Sequence, residues 1–179
     1  AVVEEIRAVK ADSEADAVRR AQRANEEALA AAERLLAASE RGTHPDHDGE
    51  VLLHGGDPLT SERVRTEIEV TLLELGCGLE ETIVACGADA ADPHERGSGP
   101  LRPDESVVID VFPRERASGY HADMTRTFVV GDPGDDLRRR HAVTVEALDA
   151  ALAAVEPGAT GAAVHDAVRT EGIVRDYDN

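Results

Sequence analysis

Aromatic residues are scarce in this 179-residue sequence, which contains no Trp, two Tyr and two Phe. Its hydrophobic fraction is nonetheless 41%, which is too high for an intrinsically disordered chain. A chain of this length can bury about 70% of its unfolded surface. We therefore expect a globular protein whose core is built from Ala, Val, Leu and Ile.

Lysine is almost absent as well. Lys10 is the single lysine among 19 basic residues. The sequence contains 37 acidic residues, so its formal net charge is −18. Because this charge repels phosphate backbones, nucleic acid is not an expected partner. An acidic, lysine-poor surface is typical of proteins from salt-loving cells, where high salt screens the self-repulsion, so we expect a halophilic protein.

The sequence also lacks the marks of exported and membrane proteins. Its two cysteines, Cys77 and Cys86, are too few for a disulfide framework and have no metal-site spacing. No run approaches about 18 apolar residues, and residues 1–10 show no signal-peptide pattern. These absences predict a cytoplasmic protein that does not interact with a membrane.

Hydrophobic periodicity and turn-forming residues predict the secondary structure. The predicted helices cover residues 12–40, 60–75, 135–155 and 160–169. Residues 42–58, rich in Gly, Pro and His, are expected to form a solvated loop. Residues 1–10 are expected to be a strand or linker, and Ile173 and Val174 the opening of another.

Two β-rich runs, 106–112 and 119–130, predict a β-hairpin. If its turn is centred on Arg116 and Ala117, Asp110 faces Asp123 directly. The residues that alternate with these two are mostly apolar, so the opposite face of the hairpin is expected to pack into a core.

Two carboxylates held about 5 Å apart repel each other unless a proton or a cation lies between them. The pair Asp110 and Asp123 is therefore a candidate metal site, and two solvated aspartates on an exposed sheet face are the alternative. Oxygen ligands favour Mn²⁺, Mg²⁺ or Ca²⁺, and Zn²⁺, Co²⁺ or Fe²⁺ become suitable when imidazole joins them. Upstream, the polar loop 87–100 contains His94, which by itself indicates no more than an ordinary loop histidine.

The hairpin sequence VVIDVFPRERASGYHADMTRTFVVGDP closely resembles the first metal-binding hairpin of the pita-bread metallopeptidases, the superfamily of methionine aminopeptidase, aminopeptidase P and prolidase. The segments IVACGADAADPH and IRAVKADSEADAVRRAQRANEEA are similar to the preceding histidine loop and to the first helix of the catalytic domain. The resemblance implies an α/β (α+β) fold, namely a partial pita-bread (creatinase/aminopeptidase) fold that stops before its second half. Residues 1–179 are thus expected to form one incomplete catalytic domain.

The resemblance also implies a site. In that superfamily five residues bind two divalent metal ions, usually Mn, Co or Zn, and Asp110 and Asp123 match the first two ligands, of which the second bridges the metals. His94 matches the catalytic histidine that contacts the substrate or its tetrahedral intermediate. Tyr120, Thr125 and Arg126 match positions that support the ligands. The implied reaction is hydrolysis of the N-terminal residue of a peptide, before proline, by a metal-bound hydroxide.

The sequence departs from the family pattern in two respects. The family usually has Gly two residues after its first Asp, where this chain has Phe112, and the turn here is longer. The HxxGH-type segment and both Glu-bearing segments, which supply the other three ligands, do not occur within 1–179, so we expect the chain alone to be inactive.

Three explanations remain open: a truncated sequence, an enzyme completed by another chain or a homodimer, and a non-catalytic peptide- or protein-binding relative. Creatinase-like chemistry without metal is disfavoured because both aspartates are present.

Overall fold

The computed structural model describes residues 2–79 and 81–170. The chain divides into two compact units, Ala1–Asp132 and Pro133–Asn179. The expected strand or linker at residues 173–174 lies outside the described residues.

The first unit begins with two helices, α1 (Val2–Ala8) and α2 (Asp12–Ala37). The expectation of a strand or linker over residues 1–10 is wrong for α1, whose acidic first turn and basic last turn suit the helix dipole. Helix α2 confirms the predicted long helix, and its backbone N–H at Ala11 donates to the Glu14 carboxylate at 2.8 Å. Its buried face is mainly alanine, which lets neighbouring elements approach closely: Ala17, Ala21, Ala24, Ala28, Ala31 and Ala32.

A three-stranded antiparallel sheet follows, formed by β1 (Glu40–Thr43), β2 (Glu50–His54) and β3 (Asp57–Pro58). The expectation of a solvated loop over 42–58 is therefore wrong. The turn-forming residues lie between short strands, and Val51, Leu52 and Leu59 are fully buried.

Helix α3 (Ser61–Glu74) begins as predicted at Thr60, whose hydroxyl accepts the Arg63 N–H at 3.3 Å. Val64, Ile68 and Leu72 form its buried stripe. Leu75, which the same spacing predicts to be buried with them, is 47% exposed. After α3 the chain forms the strands of two further sheets. These strands are β4 (Cys77–Gly78), β5 (Thr82–Cys86), β6 (Val107–Val111), β7 (Arg114–Glu115) and β8 (Met124–Phe128).

Strands β5, β6 and β8 make an antiparallel sheet in the order β5-β6-β8, and β4 pairs with β7. Helices α2 and α3 and this sheet share one hydrophobic core, which includes Ala28, Ile68, Val84 and Ile109. This arrangement leaves β6 as the central strand of the sheet, paired on both sides.

The second unit contains α4 (Gly134–Ala153) and α5 (Gly161–Thr170), which confirm the last two predicted helices. The Thr160 hydroxyl accepts the Ala163 N–H at 3.1 Å and so caps α5. Within residues 2–79 and 81–170, none of the helices combines the length and apolar character needed to cross a membrane.

Candidate metal-binding site

The predicted β-hairpin exists, but its register differs from the expected one. Asp110 pairs with Thr125 rather than with Asp123. The turn is closed by hydrogen bonds from Glu115 N–H to the Tyr120 carbonyl and from Gly119 N–H to the Glu115 carbonyl, both 2.8 Å. Its centre lies between Ala117 and Ser118, one residue later than expected, and this moves every cross-strand partner by two residues.

A shift of two residues leaves each side chain on the same face of the hairpin. Asp110 and Asp123 therefore remain on one face as diagonal neighbours. On the other face Val107, Ile109 and Val111 are buried, and Met124 and Phe128 pack against the core. The prediction of an apolar face opposite the carboxylates is confirmed.

The two carboxylates have different surroundings. The Thr125 hydroxyl donates to Asp110 Oδ1 at 2.6 Å. Asp123 as a whole is exposed, but nearby protein atoms remove part of the water around its carboxyl. This desolvation, followed by the negative charge of Asp110, raises the pKa of that carboxyl. A cation between the two carboxylates would offset this repulsion, and hard oxygen donors are what divalent metal ions bind.

The loop that carries His94 adjoins Asp110. A one-turn 3-10 helix at Gly87–Ala91 precedes it, and the Asp92 carboxylate accepts the His94 N–H at 2.8 Å. A cavity of about 110 Å³ separates this loop from the hairpin. It is lined by Ile83, Ala85, Ala90, Asp92, Pro93, Val108, Asp110 and Thr125. The side chain of His94, next along the chain, is exposed.

Arg65 of α3 forms hydrogen bonds to the backbone of the same loop. Arg65 Nη1 donates to the carbonyls of Arg96 at 2.7 Å and Gly97 at 2.9 Å, and the Val84 N–H donates to the Arg96 carbonyl at 3.0 Å. These bonds fix the backbone two and three residues after His94. Neither Arg65 nor Asp92 was predicted to support the site. The one signal in the sequence for Asp92 was its place two residues before His94.

Helix α2 holds the hairpin at three points. The Tyr120 hydroxyl donates to Glu14 Oε1 at 2.6 Å, and Arg20 donates two hydrogen bonds to the Glu115 carboxylate at 2.6 and 3.1 Å. Asn25, fully buried, donates from Nδ2 to the Val111 carbonyl at 2.8 Å. The last bond anchors β6 one residue after Asp110, and it was not predicted.

The three residues expected to support the ligands thus occupy different places. Thr125 contacts a ligand carboxylate directly. Tyr120 contacts α2, and exposed Arg126 donates to the carbonyl of Thr125 at 2.8 Å. Among residues 2–79 and 81–170, His, Cys, Asp and Glu do not form a group of three or more that could hold a metal ion. Asp110 and Asp123 fit part of such a site.

Comparisons with known proteins identify the family of this chain. The model of Peptidase_M24, metallopeptidase family M24, matches residues 16–172. A probable dipeptidase PepE of Mycobacterium tuberculosis is 38% identical over 88 residues, 49% of this chain and 23% of the relative. An Xaa-Pro dipeptidase of Pyrococcus furiosus is 34% identical over 98 residues, 54% of this chain and 27% of the relative.

Solved structures show the same relationship. The prolidase from Pyrococcus furiosus superposes with a TM-score of 0.77 and 25% identity over 98% of this chain and 46% of the prolidase. The X-Pro aminopeptidase from Thermotoga maritima, at 24% identity, shares the fold with a TM-score of 0.76 over 98% of this chain and 44% of its own. The chain spans less than half the length of these relatives. It belongs to metallopeptidase family M24 and has a partial pita-bread fold.

Proposed function

We propose that this chain provides the first part of the catalytic site of an Xaa-Pro dipeptidase or Xaa-Pro aminopeptidase of the cytoplasm. The observation that supports this most is the placement of Asp110 and Asp123 on one face of the hairpin, next to the loop that carries His94. Both compact units belong to one catalytic domain in this proposal, since the family match extends over residues of both.

The residues of the chain have distinct roles in this proposal. Asp110 and Asp123 would bind the divalent metal ions. The hydrogen bond from the Thr125 hydroxyl to Asp110 Oδ1 orients that carboxylate. His94 contacts the substrate at the scissile bond. Two divalent ions, Mn, Co or Zn, would supply the polarisation of the scissile carbonyl and the lowered pKa of a bound water.

The chain supplies two of the five ligands that its family resemblance calls for. We propose that the other three lie on polypeptide outside these 179 residues, in the same chain or in a complementing one. Residues 1–179 by themselves then bind metal weakly and hydrolyse no peptide, because two carboxylates do not fix the geometry of a catalytic centre.

The experiment uses the polypeptide that the source cell makes from this gene region, purified with Mn²⁺ and supplied with the dipeptide alanyl-proline. We expect release of free proline, abolished by Asp123→Asn and retained by Asp57→Asn, a control aspartate exposed on β3. Binding of alanyl-proline without proline release would overturn the proposal in favour of a non-catalytic peptide-binding relative.

A further inference from the structure

The first two turns of α3 contain a glutamate and an arginine that bind the loop between β5 and β6. Arg65 Nη2 lies 3.4 Å from Glu62 Oε1, and the Arg65 side chain is 13% exposed. Arg65 Nη1 donates to the carbonyls of Arg96 at 2.7 Å and Gly97 at 2.9 Å. The Glu62 carboxylate accepts the Gly99 N–H at 3.2 Å. This ion pair therefore binds three backbone groups within four residues of the loop.

The Arg65 guanidinium supplies partners that regular secondary structure would otherwise provide. Residues 95–99 belong to neither a helix nor a strand, so the carbonyls of this segment need other donors. Hydrogen bonds from a charged donor are roughly twice as strong as those between neutral groups. The Val84 N–H of β5 also donates to the Arg96 carbonyl, at 3.0 Å. That carbonyl thus joins the loop to both α3 and the sheet.

His94 lies between this bound segment and the cavity beside Asp110. Asp92 and Pro93 line that cavity, and the Asp92 carboxylate accepts the His94 N–H at 2.8 Å. Two residues after His94, the chain is bound by Arg65. The backbone is therefore held on both sides of the histidine. Because the side chain of His94 is exposed, its position depends on the backbone that carries it.

We propose that Arg65 is a positioning residue, which acts through the backbone of the loop to place the His94 imidazole relative to Asp110 and Asp123. The inference rests on the proposed function, in which His94 contacts the substrate at the scissile bond. A misplacement of about 1 Å can lower the rate of an enzyme by roughly 100-fold. Loss of the guanidinium should therefore slow turnover without any contact between Arg65 and the substrate.

Arg63 of the same helix provides a matched control. It is half-buried like Arg65, and its Nη1 donates to the carbonyls of Asp57 at 3.2 Å and Pro58 at 2.8 Å. These two carbonyls belong to β3, which lies in a different sheet from the metal-site hairpin. Replacing Arg63 thus removes the same kind of contact from the same helix but leaves the loop of His94 with its own donors.

The first measurement is amide hydrogen exchange by mass spectrometry on the source-cell polypeptide, followed in residues 92–97. The amides of His94, Glu95 and Gly97 donate hydrogen bonds within this segment. We expect Arg65→Gln to speed their exchange by at least about tenfold, because the segment opens more often without its charged donor. Arg63→Gln should leave this exchange unchanged. Equal exchange in the wild type and in Arg65→Gln would overturn the proposal.

The second measurement is turnover of alanyl-proline by the same polypeptides with Mn²⁺. We expect Arg65→Gln to lower kcat by about 10–100-fold, with little change in KM or in the Mn²⁺ concentration that gives half-maximal turnover. Arg65→Lys should recover part of the lost kcat, since an ammonium group can still donate to a carbonyl. An unchanged kcat in Arg65→Gln, or an equal loss in Arg63→Gln, would overturn the proposal. A raised Mn²⁺ requirement at unchanged kcat would also overturn it, because Arg65 would then act on the metal site.

Failure of this inference can be told apart from failure of the proposed function. A wild-type polypeptide that releases no proline rejects the peptidase, and with it the contact of His94 with a scissile bond. The exchange measurement requires no turnover and still decides whether Arg65 orders the loop. Proline release by the wild type, with the same kcat in Arg65→Gln, rejects the inference and leaves the peptidase in place.

Discussion

Thr125 is the side chain through which β8 contacts the carboxylate of β6. Its hydroxyl has a single hydrogen to donate, and that hydrogen goes to Asp110 Oδ1 at 2.6 Å. The bond restricts rotation of the carboxylate and leaves Oδ2 as the oxygen without this partner. Residues of this kind, which orient a ligand without binding the metal, often determine metal affinity.

Replacing Thr125 by Val removes the donor and keeps the shape of the side chain. We expect the Mn²⁺ concentration that gives half-maximal turnover by the source-cell polypeptide to rise by about 10–100-fold, as is usual for loss of such a partner. Thr125→Ser restores the hydroxyl and should restore the affinity. An unchanged Mn²⁺ requirement in Thr125→Val would show that the hydrogen bond does not act on the metal.

Sequence motifs identify candidate metal ligands and catalytic residues more readily than they identify the residues that position the surrounding backbone. His94, Asp110, Asp123 and Thr125 all lie in two short segments whose residue types suggest the site. Arg65 acts on a carbonyl 31 residues away along the chain, and Asn25 acts on one 86 residues away. No local sequence pattern predicts such contacts, because the acceptor is a backbone carbonyl, which every residue has.

Helix α2 is the element that positions the hairpin. Arg20 and Glu115 form two hydrogen bonds at the hairpin tip, and Tyr120 donates to Glu14. The hydrogen bond from Arg20, followed by that from Ser118, lowers the pKa of Glu115. The pKa of Glu14 is lowered chiefly by the bond from Tyr120.

A carboxyl group whose pKa is lower in the folded state stabilises the fold above its unfolded pKa, and this contribution is lost as the pH falls through the folded pKa. The wild-type chain should therefore melt at a higher temperature than Glu115→Gln near about pH 6. The difference should begin to shrink as the pH falls below the ordinary glutamate pKa of about 4.3, and it should vanish once the pH is below the lowered pKa of folded Glu115. Glu27→Gln, an exposed glutamate on α2, is the control and should differ little at either pH. A difference that persists in acid would contradict an ion-pair origin.

Gly97, in the loop after His94, is a position where any side chain is unfavourable for both the backbone and the packing. Gly97 has a φ of +73° and its added Cβ would clash with the carbonyl oxygen of Val84, whereas Gly99 has the same φ with open space around it. The two positions therefore separate the backbone cost from the packing cost.

We expect Gly99→Ala to cost about 1–2 kcal/mol from the left-handed backbone alone. Gly97→Ala should cost about 1–3 kcal/mol more, because the clash forces the loop away from β5. Urea unfolding of both variants measures the two costs. Equal values would mean that the close approach to Val84 contributes nothing to stability.

At the level of elements, sequence periodicity predicts the helices better than the strands. Helices α2 to α5 extend over enough residues for their apolar spacing to show. Strands β1 to β3 have two to five residues each and lie among Gly, Pro and His. A displacement of the turn centre by one residue changed the register of the hairpin. The composition of residues 113–119 does not determine where that centre lies.

The whole molecule has a net charge of −18, and the described ion pairs involve exposed side chains for the most part. Exposed pairs contribute little, so repulsion among the excess carboxylates is the larger electrostatic effect at low salt. The sign of the charge was evident from the sequence, whereas the partners in the ion pairs required the structure.

Salt should therefore stabilise this protein. We expect the melting midpoint to be higher in 2 M KCl (roughly a 2 Å screening length) than in 0.1 M KCl, where charges interact over about 10 Å. Potassium chloride is preferred to sulfate, because sulfate strengthens apolar burial in any protein. The same midpoint at both concentrations would remove the inference of adaptation to high salt.

The most direct test of the central claim, that Asp110 and Asp123 together bind a divalent metal ion, is an electron paramagnetic resonance titration of Mn²⁺ into the 179-residue chain. The titration is done in roughly 0.5 M KCl, which screens weak attraction to the acidic surface to within about 4 Å. We expect a weak site that is lost in Asp110→Asn and in Asp123→Asn and is retained in Asp57→Asn. Equal Mn²⁺ binding by all four proteins would contradict it, because the bound ions would then belong to the general negative charge and not to the hairpin.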